Sequence, residues 1–353
     1  MLCLQFVYCS SKKHEDYSLS IIYTTIPLFL YTYSAPSCLI LYRRMQENQM
    51  MMENKIKTLI VPTDFSEKSE NALRLAVQMS KRHHAKIILV HVAEMYHLTD
   101  RTGRQIVGAD TVQQNIDSGI QQLTLTKNRV LEDNTGLHIQ TSLKTGNLVD
   151  SINDLIVSED ADMVIIGTSG QQNLKKLLLG SCSYSVLCNV NCSVLLVPMS
   201  FTKNDFSKIL FPVRVTENLD SKLDLALAIA NKNNSVINLY GVCDEHNLPQ
   251  LRQEFLLLKN KLKEKMKSFK SELVFAYDKA DAISKVSREE NSDILILNGK
   301  DELQWKSIFA ENFFKKIINE TDVALLFMKP KTQKSAEENT DTHHYDISLP
   351  IPG

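Results

Sequence analysis

The chain is predicted to be α/β, with two tandem open sheets of about five parallel strands each and helices on both faces. Two observations predict it. Short apolar runs alternate with segments of helical periodicity, the pattern of parallel strands joined by crossover helices. The same strand–helix series then occurs a second time within the 353 residues, which marks an internal repeat.

In the first copy, Thr58-Leu-Ile-Val-Pro-Thr63 is an apolar run suited to a buried strand. Ser69–Arg82 places Ala72, Leu75, Ala76 and Met79 on one helical face. A strand is expected over Ile87–Val92, then a longer segment with helical character towards Asp133, then a strand over Leu137–Lys144. Leu148–Glu159 is expected to be a helix with Ile152, Leu155 and Ile156 inward. Met163-Val-Ile-Ile166 is a strand, Ser181–Asn189 a helix, and Cys192–Pro198 the closing strand.

Phe201–Ser207 is a short polar link. Beyond it, Lys208–Val213 repeats the first strand, Val236–Val242 the second, Ser292–Leu297 the strand at Met163, and Asp322–Pro330 the closing one. The sequence therefore divides into domains at 54–200 and 207–330, Rossmann-like in their alternation. Leu251, Phe255, Leu258, Leu262, Met266, Phe269 and Leu273 recur at intervals of three and four, with seven Lys or Arg between Arg252 and Lys270. This is expected to be an amphipathic helix covering the sheet with a solvated basic face.

The flanks differ from this body. Residues 1–53 fit the repeat poorly, and Tyr17–Tyr42 carries no charge. Two readings stand: translation beginning among Met45, Met50, Met51 and Met52, or a membrane anchor whose Arg43-Arg44 flank keeps the remainder cytoplasmic. Residues 331–353 form a polar tail expected to be disordered. A formal net charge of −1 gives no electrostatic case for nucleic acid. Seven cysteines at irregular spacing do not resemble a secreted disulfide framework, so a reducing cytoplasm is expected.

The most telling motif follows the strand Met163–Ile166. Gly167-Thr-Ser-Gly170 precedes a nine-residue loop, and Gly180-Ser181 then opens a helix. Glycines at a strand end permit a tight turn and a close backbone approach to phosphate. The helix start offers free N–H groups and a positive dipole end. Together they suit a nucleotide phosphate; glycines serving loop geometry alone are the plainer alternative. Lys175 and Lys176 lie in the loop and are expected to be solvated.

The pattern G-x2-G-x9-G-S resembles the nucleotide-binding signature of the universal stress protein family. The likeness extends to Thr58–Ser66 with Asp64 in its turn, to Lys86–Val92 and to Cys192–Pro198, so that it covers roughly residues 54–200. The resemblance implies ATP, accompanied by Mg²⁺ held through its phosphates, as the ligand. Gly167 and Gly170 would give the close approach, while Gly180, Ser181, Cys182 and Ser183 would bind the β- and γ-phosphates, the two serine hydroxyls helping. Asp64 would lie near the ribose or a bound metal, and Pro62 and Val92 near the adenine. The second copy departs at these places: Arg214 replaces Asp64, Asn298 replaces Gly167, about Asp301 replaces Gly170, and about Asn312-Phe313 replaces Gly180-Ser181. It is expected to keep the fold without the site.

No catalytic constellation accompanies the motif. The sequence contains no G-x4-G-K-[ST], G-x-S-x-G or H-E-x-x-H. His91 is expected in the core and His83-His84 at the surface. Cys188 and Cys192 lack the companions of a zinc site, and Cys182 is read as a small residue that fits its helix start. The expected function is a cytoplasmic universal stress protein, binding ATP in its first domain as a nucleotide-regulated stress-response module, with at most slow hydrolysis. An interaction scaffold without nucleotide, or a weak ATP-hydrolysing enzyme, are the alternatives. The closing strands Val194–Val197 and Val323–Phe327 are expected to pair within the chain as a pseudo-dimer, with a homodimer and protein partners also open.

Overall fold

Ten strands of the unit Lys55–Gly353 hydrogen-bond into one sheet, ordered β10-β9-β8-β11-β12-β7-β6-β1-β2-β5. The computed structural model describes residues 56–93, 98–99, 105–106, 109–169, 180–299 and 308–329. The other unit, Met1–Asn54, the tail 331–353 and the loop carrying Gly170, Lys175 and Lys176 lie outside the described residues, as does Asp301.

The first half runs β1 (Thr58–Pro62), α1 (Glu67–His83), β2 (Lys86–Ala93), a separate antiparallel pair β3 (Leu98–Thr99) and β4 (Gln105–Ile106), and α2 (Ala109–Asp133). It continues through β5 (Ile139–Thr145), α3 (Leu148–Ser158), β6 (Met163–Thr168), α4 (Ser181–Asn189) and β7 (Ser193–Pro198). The second half is β8 (Lys208–Val213), α5 (Leu219–Asn233), β9 (Val236–Cys243), α6 (Leu248–Lys265) and β10 (Phe269–Phe275). It ends with α7 (Lys279–Glu289), β11 (Ile294–Asn298), α8 (Ile308–Glu320) and β12 (Ala324–Met328). Within each half the sheet strands are parallel and the first lies at the centre, so the order reverses beside β1 and beside β8. Such switch points are where open α/β sheets take ligands.

Local chemistry sets the boundaries. α1 starts at Ser66 with Glu67 and Glu70 in its first turn, ends with Lys81 and Arg82, and is closed by left-handed His84. Acids at the start and bases at the end complement the helix dipole. Asn147 caps α3, accepting from the amides of Val149 and Asp150. One aspartate recurs in both halves: the Asp162 carboxylate accepts from the Lys57 and Thr58 amides at 2.6 and 3.0 Å, and Asp293 accepts from the Lys208 amide at 2.8 Å. It holds the start of each central strand to the strand beside it.

Side chains of the strands alternate between two cores. Leu59, Val61 and Leu195 face α1, α2, α5 and α6, whereas Ile60, Val164 and Leu196 face α3, α4, α7 and α8. Both cores run across the two halves. The bridge is β7 with β12, the antiparallel pair within the ten-stranded sheet, in which Leu196 opposes Leu325, Leu195 opposes Leu326 and Val194 opposes Phe327. Met163 opposes Ser193 in the first half as Ile294 opposes Ala324 in the second. This register makes Leu195 and Leu326 counterparts, so a pseudo-twofold axis passes through their pair. The expected strand pairing is the one observed.

Three expectations change. The short link at Phe201–Ser207, expected to be polar, buries Phe201 and Phe206, and α1 grips its backbone. Asn71 donates to the carbonyls of Pro198 and Phe201 at 2.8 and 3.0 Å, and Arg74 donates to Phe201 at 2.7 Å. The periodic stretch from Leu251 is a helix only to Lys265: Leu251, Phe255, Leu258 and Leu262 are buried under it, but Phe269 and Leu273 belong to strand β10. A spacing of four satisfies the period of a strand as well as that of a helix. The extended backbone of Met266 separates the two elements.

His83 is the third. It is buried at the end of α1, and its Nε2 has no hydrogen-bond partner. Burial, with Lys232, Arg82 and His84 nearby, lowers its pKa from 6.5 to about 4. The unfolded chain therefore binds this proton more readily, and stability falls as pH drops from 6.5 to about 4. A shift of this size corresponds to about 3 kcal/mol. Denaturant titrations at pH 7 and pH 4.5 are expected to differ by less in His83→Phe than in the native chain; an unchanged difference would dismiss His83 as its source.

Candidate functional site

The strand ends beside the switch point bring together the residues that the sequence singled out. Pro62 closes β1 and is buried, and Val92 lies half-buried near the end of β2. Between β1 and α1 the chain makes a constrained turn. The Thr63 amide continues the sheet to the Val90 carbonyl at 2.8 Å, and Thr63 Oγ1 accepts from the Phe65 amide at 3.0 Å. Phe65 has φ of 59°, a left-handed conformation that phenylalanine adopts at a cost of roughly 1 kcal/mol. Its ring lies 4.6 Å from that of His91, whose Nδ1 is 2.8 Å from the Thr63 carbonyl oxygen. His91, expected in the core, is half-buried and supports the turn, forming a bracket with Thr63 and Phe65.

The turn presents Asp64 to solvent. Its Oδ1 accepts from the Ser66 amide at 3.2 Å and from the Ser66 hydroxyl, and Oδ2 lies 3.1 Å from Lys68 Nζ. Burial alone would raise this carboxyl, but the bonds from Ser66 and Lys68 outweigh it and bring the pKa down to about 2. Asp64 is therefore an anion through the neutral range, a polar group for a ligand hydroxyl or a cation's water shell and not a proton donor.

Gly167 has a packing role that the motif did not disclose. A Cβ built there would lie 2.0 Å from the Lys68 carbonyl oxygen and 3.1 Å from the Ser69 amide nitrogen. The first turn of α1 thus rests directly on the backbone of β6. The second half meets the same problem differently: Asn298 takes the place of Gly167, and its Nδ2 donates to the Glu217 carbonyl at 2.6 Å.

Gly180 is the N-cap of α4, is exposed, and among the described residues has no neighbour that a Cβ would touch. The Tyr184 amide bonds to the Gly180 carbonyl at 3.0 Å. The Ser181, Cys182 and Ser183 amides precede the first intrahelical bond, and Gly180 brings no side chain to cap them. Ser181 and Cys182 are exposed, and Cys182 is a free thiol. Ser183 differs: its side chain is buried and its hydroxyl donates to the Gly167 carbonyl at 3.1 Å. The Ser183 hydroxyl, expected to help hold a phosphate, is therefore engaged within the chain, and it ties the start of α4 to the end of β6.

The corresponding place in the second half is filled from within. The Arg214 guanidinium sits over the Phe313 ring, 4.0 Å from its centroid, and 5.3 Å from that of Phe314. Beneath it Lys222 is fully buried, donates to the Pro212 carbonyl and lies 4.4 Å from the Phe211 ring centroid. Burial and then the charge of Arg214 push the Lys222 ammonium well below its ordinary pKa. An arginine stacked on an aromatic ring thus stands where the first half has an acidic turn and an uncapped helix start.

Elsewhere, a groove of about 470 Å³ between α1 and α2 is lined by Glu67, Glu70, Arg74 and Arg129, among others. Met199, directly after β7, also lines it, and within it Arg129 pairs with Glu70. Among the described residues no group of three His, Cys, Asp or Glu side chains is placed to hold a metal, and no helix is long and apolar enough to cross a membrane.

The geometry separates the two glycines. Gly167→Ala is expected to cost about 3 kcal/mol or to prevent folding, because the opposing atoms are backbone. Gly180→Ala is expected to fold as the native chain does. Thermal unfolding of the two variants checks this, and equal melting temperatures would contradict it.

Residues 55–198 match the universal stress protein family. Among curated relatives, a universal stress protein of Methanocaldococcus jannaschii is 27% identical over 145 residues, covering 41% of this chain and 84% of its own. A second from the same organism is 26% identical over 155 residues, covering 40% and 94%. A solved universal stress protein from Archaeoglobus fulgidus superposes with a TM-score of 0.63 at 18% identity, covering 78% of this chain and 99% of its own. A putative universal stress protein from Pseudomonas aeruginosa gives 0.55 at 13%, covering 79% and 95%. The two structural likenesses are of fold.

Proposed function

With residues 55–198 matched as a universal stress protein family domain, we propose that this half binds ATP, with Mg²⁺ on its phosphates, and that the chain is a cytoplasmic, nucleotide-regulated stress-response module of two tandem domains. The observation that carries the proposal is the contrast between the halves. Among the described residues the first has no side-chain cap at the start of α4, where Ser181 and Cys182 are exposed, whereas in the second Arg214 stacks on Phe313 of α8. Backbone amides at a helix start suit phosphate oxygens, and the absent Cβ of Gly180 leaves room for close approach.

The residue roles are those that the resemblance implies. The Ser181, Cys182 and Ser183 amides and the Ser181 hydroxyl would hold phosphate, and Gly167 and Gly170 would give the close approach. Asp64 would take the ribose or the hydration shell of the metal ion, and Pro62 and Val92 would border the adenine. The bound group supplies its phosphates as the ligands of the Mg²⁺.

Calorimetric titration of the full chain with MgATP is expected to give one site. Cys182→Phe, copying Phe313 of the second half, is expected to weaken binding at least tenfold without lowering the melting temperature. Absence of binding by the folded native chain would overturn the proposal in favour of an interaction scaffold. ATP turnover well above background would instead place the chain among enzymes.

A further inference from the structure

The C-terminal end of α4 is held by the other half of the chain. Lys329, just beyond β12, has 4% of its surface exposed, and its Nζ donates to the carbonyls of Leu187 and Val190 at 2.8 and 2.7 Å. These carbonyls belong to the last turn and cap of α4, where a helix runs out of internal donors. A cation there also complements the negative end of the helix dipole. The main chain of Lys329 is fixed in turn: its amide donates to Ser193 Oγ at 3.2 Å, and that hydroxyl lies 3.3 Å from the Lys329 carbonyl oxygen.

The contact runs one way. By the register that pairs Leu195 with Leu326, the first-half counterpart of Lys329 is Pro198, which has neither an ammonium nor an amide proton. At the end of α8, Thr321 bonds the Ile317 carbonyl through its own amide and hydroxyl, at 3.1 and 2.8 Å. The half whose cleft is filled therefore supplies a buried cation to the helix of the half whose cleft is open. A buried ammonium that leaves its acceptors is strongly penalised, so Lys329 fixes the place of α4 along its axis. At the opposite end of that helix Ser183 is tied to Gly167.

We propose that Lys329 is a positioning residue for the anion-binding start of α4, and that the second half acts through it as the support of the first-half site. This rests on the nucleotide reading only in naming the ligand. If it holds, a ligand at the start of α4 and the contact at its end stabilise each other, because coupling between sites is reciprocal.

The test uses the full chain, with amide hydrogen exchange and MgATP titration side by side. Without nucleotide, Lys329→Met is expected to speed exchange of the Tyr184–Val190 amides about tenfold. With nucleotide, it is expected to weaken MgATP about tenfold, the affinity change that an equal loss of helix-end stabilisation allows. Lys329→Arg is expected to restore both in part. Ile229→Val, which loosens second-half packing away from α4, is expected to move neither. Unchanged exchange in Lys329→Met overturns the inference, as does faster exchange with unchanged affinity, or an equal response in Ile229→Val. Failure of the native chain to bind MgATP would remove the nucleotide reading alone, since the exchange comparison judges the positioning role without ligand.

Discussion

The antiparallel pairing of β7 with β12 organises everything else in this unit. Each half taken alone would end in a flat, apolar edge strand, an exposed row of amides and carbonyls prone to unwanted pairing. Val194, Leu195, Leu196, Leu325, Leu326 and Phe327 are all buried where the edges meet. Joining them merges two cores into two continuous layers, one on each face. The other contacts between the halves build on this seam: the grip of α1 on the link, the approach of Lys232 to His83, and the insertion of Lys329 beneath α4.

Within that frame, the difference between the halves is one of side chains on equivalent backbones. The turn after the central strand must bring the next helix against the strand ending at Gly167 or Asn298. The first half solves this by having no side chain at Gly167, the second with an amide that bonds the approaching carbonyl. A glycine in a ligand signature is thus required by packing before any ligand arrives. Among the described residues no packing contact accounts for the lack of a side chain at Gly180, so that glycine bears more directly on the function proposed for this half.

Much of this was legible in the sequence because the relevant signals were local or repeated. Strands such as Lys208–Val213 and the helix Ser181–Asn189 fall where expected, since buried parallel strands are continuous apolar runs and helices carry their own period. The pairing of the closing strands could be read because the repeat supplied two copies of one edge. What could not be read depended on distant partners. His83 is buried by packing in the folded chain, and nothing in Arg82-His83-His84 announces it. Lys329 looks like one more lysine at the start of a polar tail until the fold places two carbonyls beside it. Ser183 faces inward because its position on α4 points it at Gly167, a relation hidden by the loop between them. Phe269 and Leu273 misled because a spacing of four fits both periods.

The arginine seated on Phe313 means that the second half carries its occupant as part of its own covalent chain. Under the function proposed for the chain, that half takes no nucleotide, and its folding free energy does not vary with nucleotide level. The first half, under the function proposed for it, has a stability that rises with the logarithm of free ligand. One sheet therefore joins a constant to a variable. Changes in nucleotide level would be felt as a difference in rigidity between its two ends, with the constant end as the reference against which the other is read.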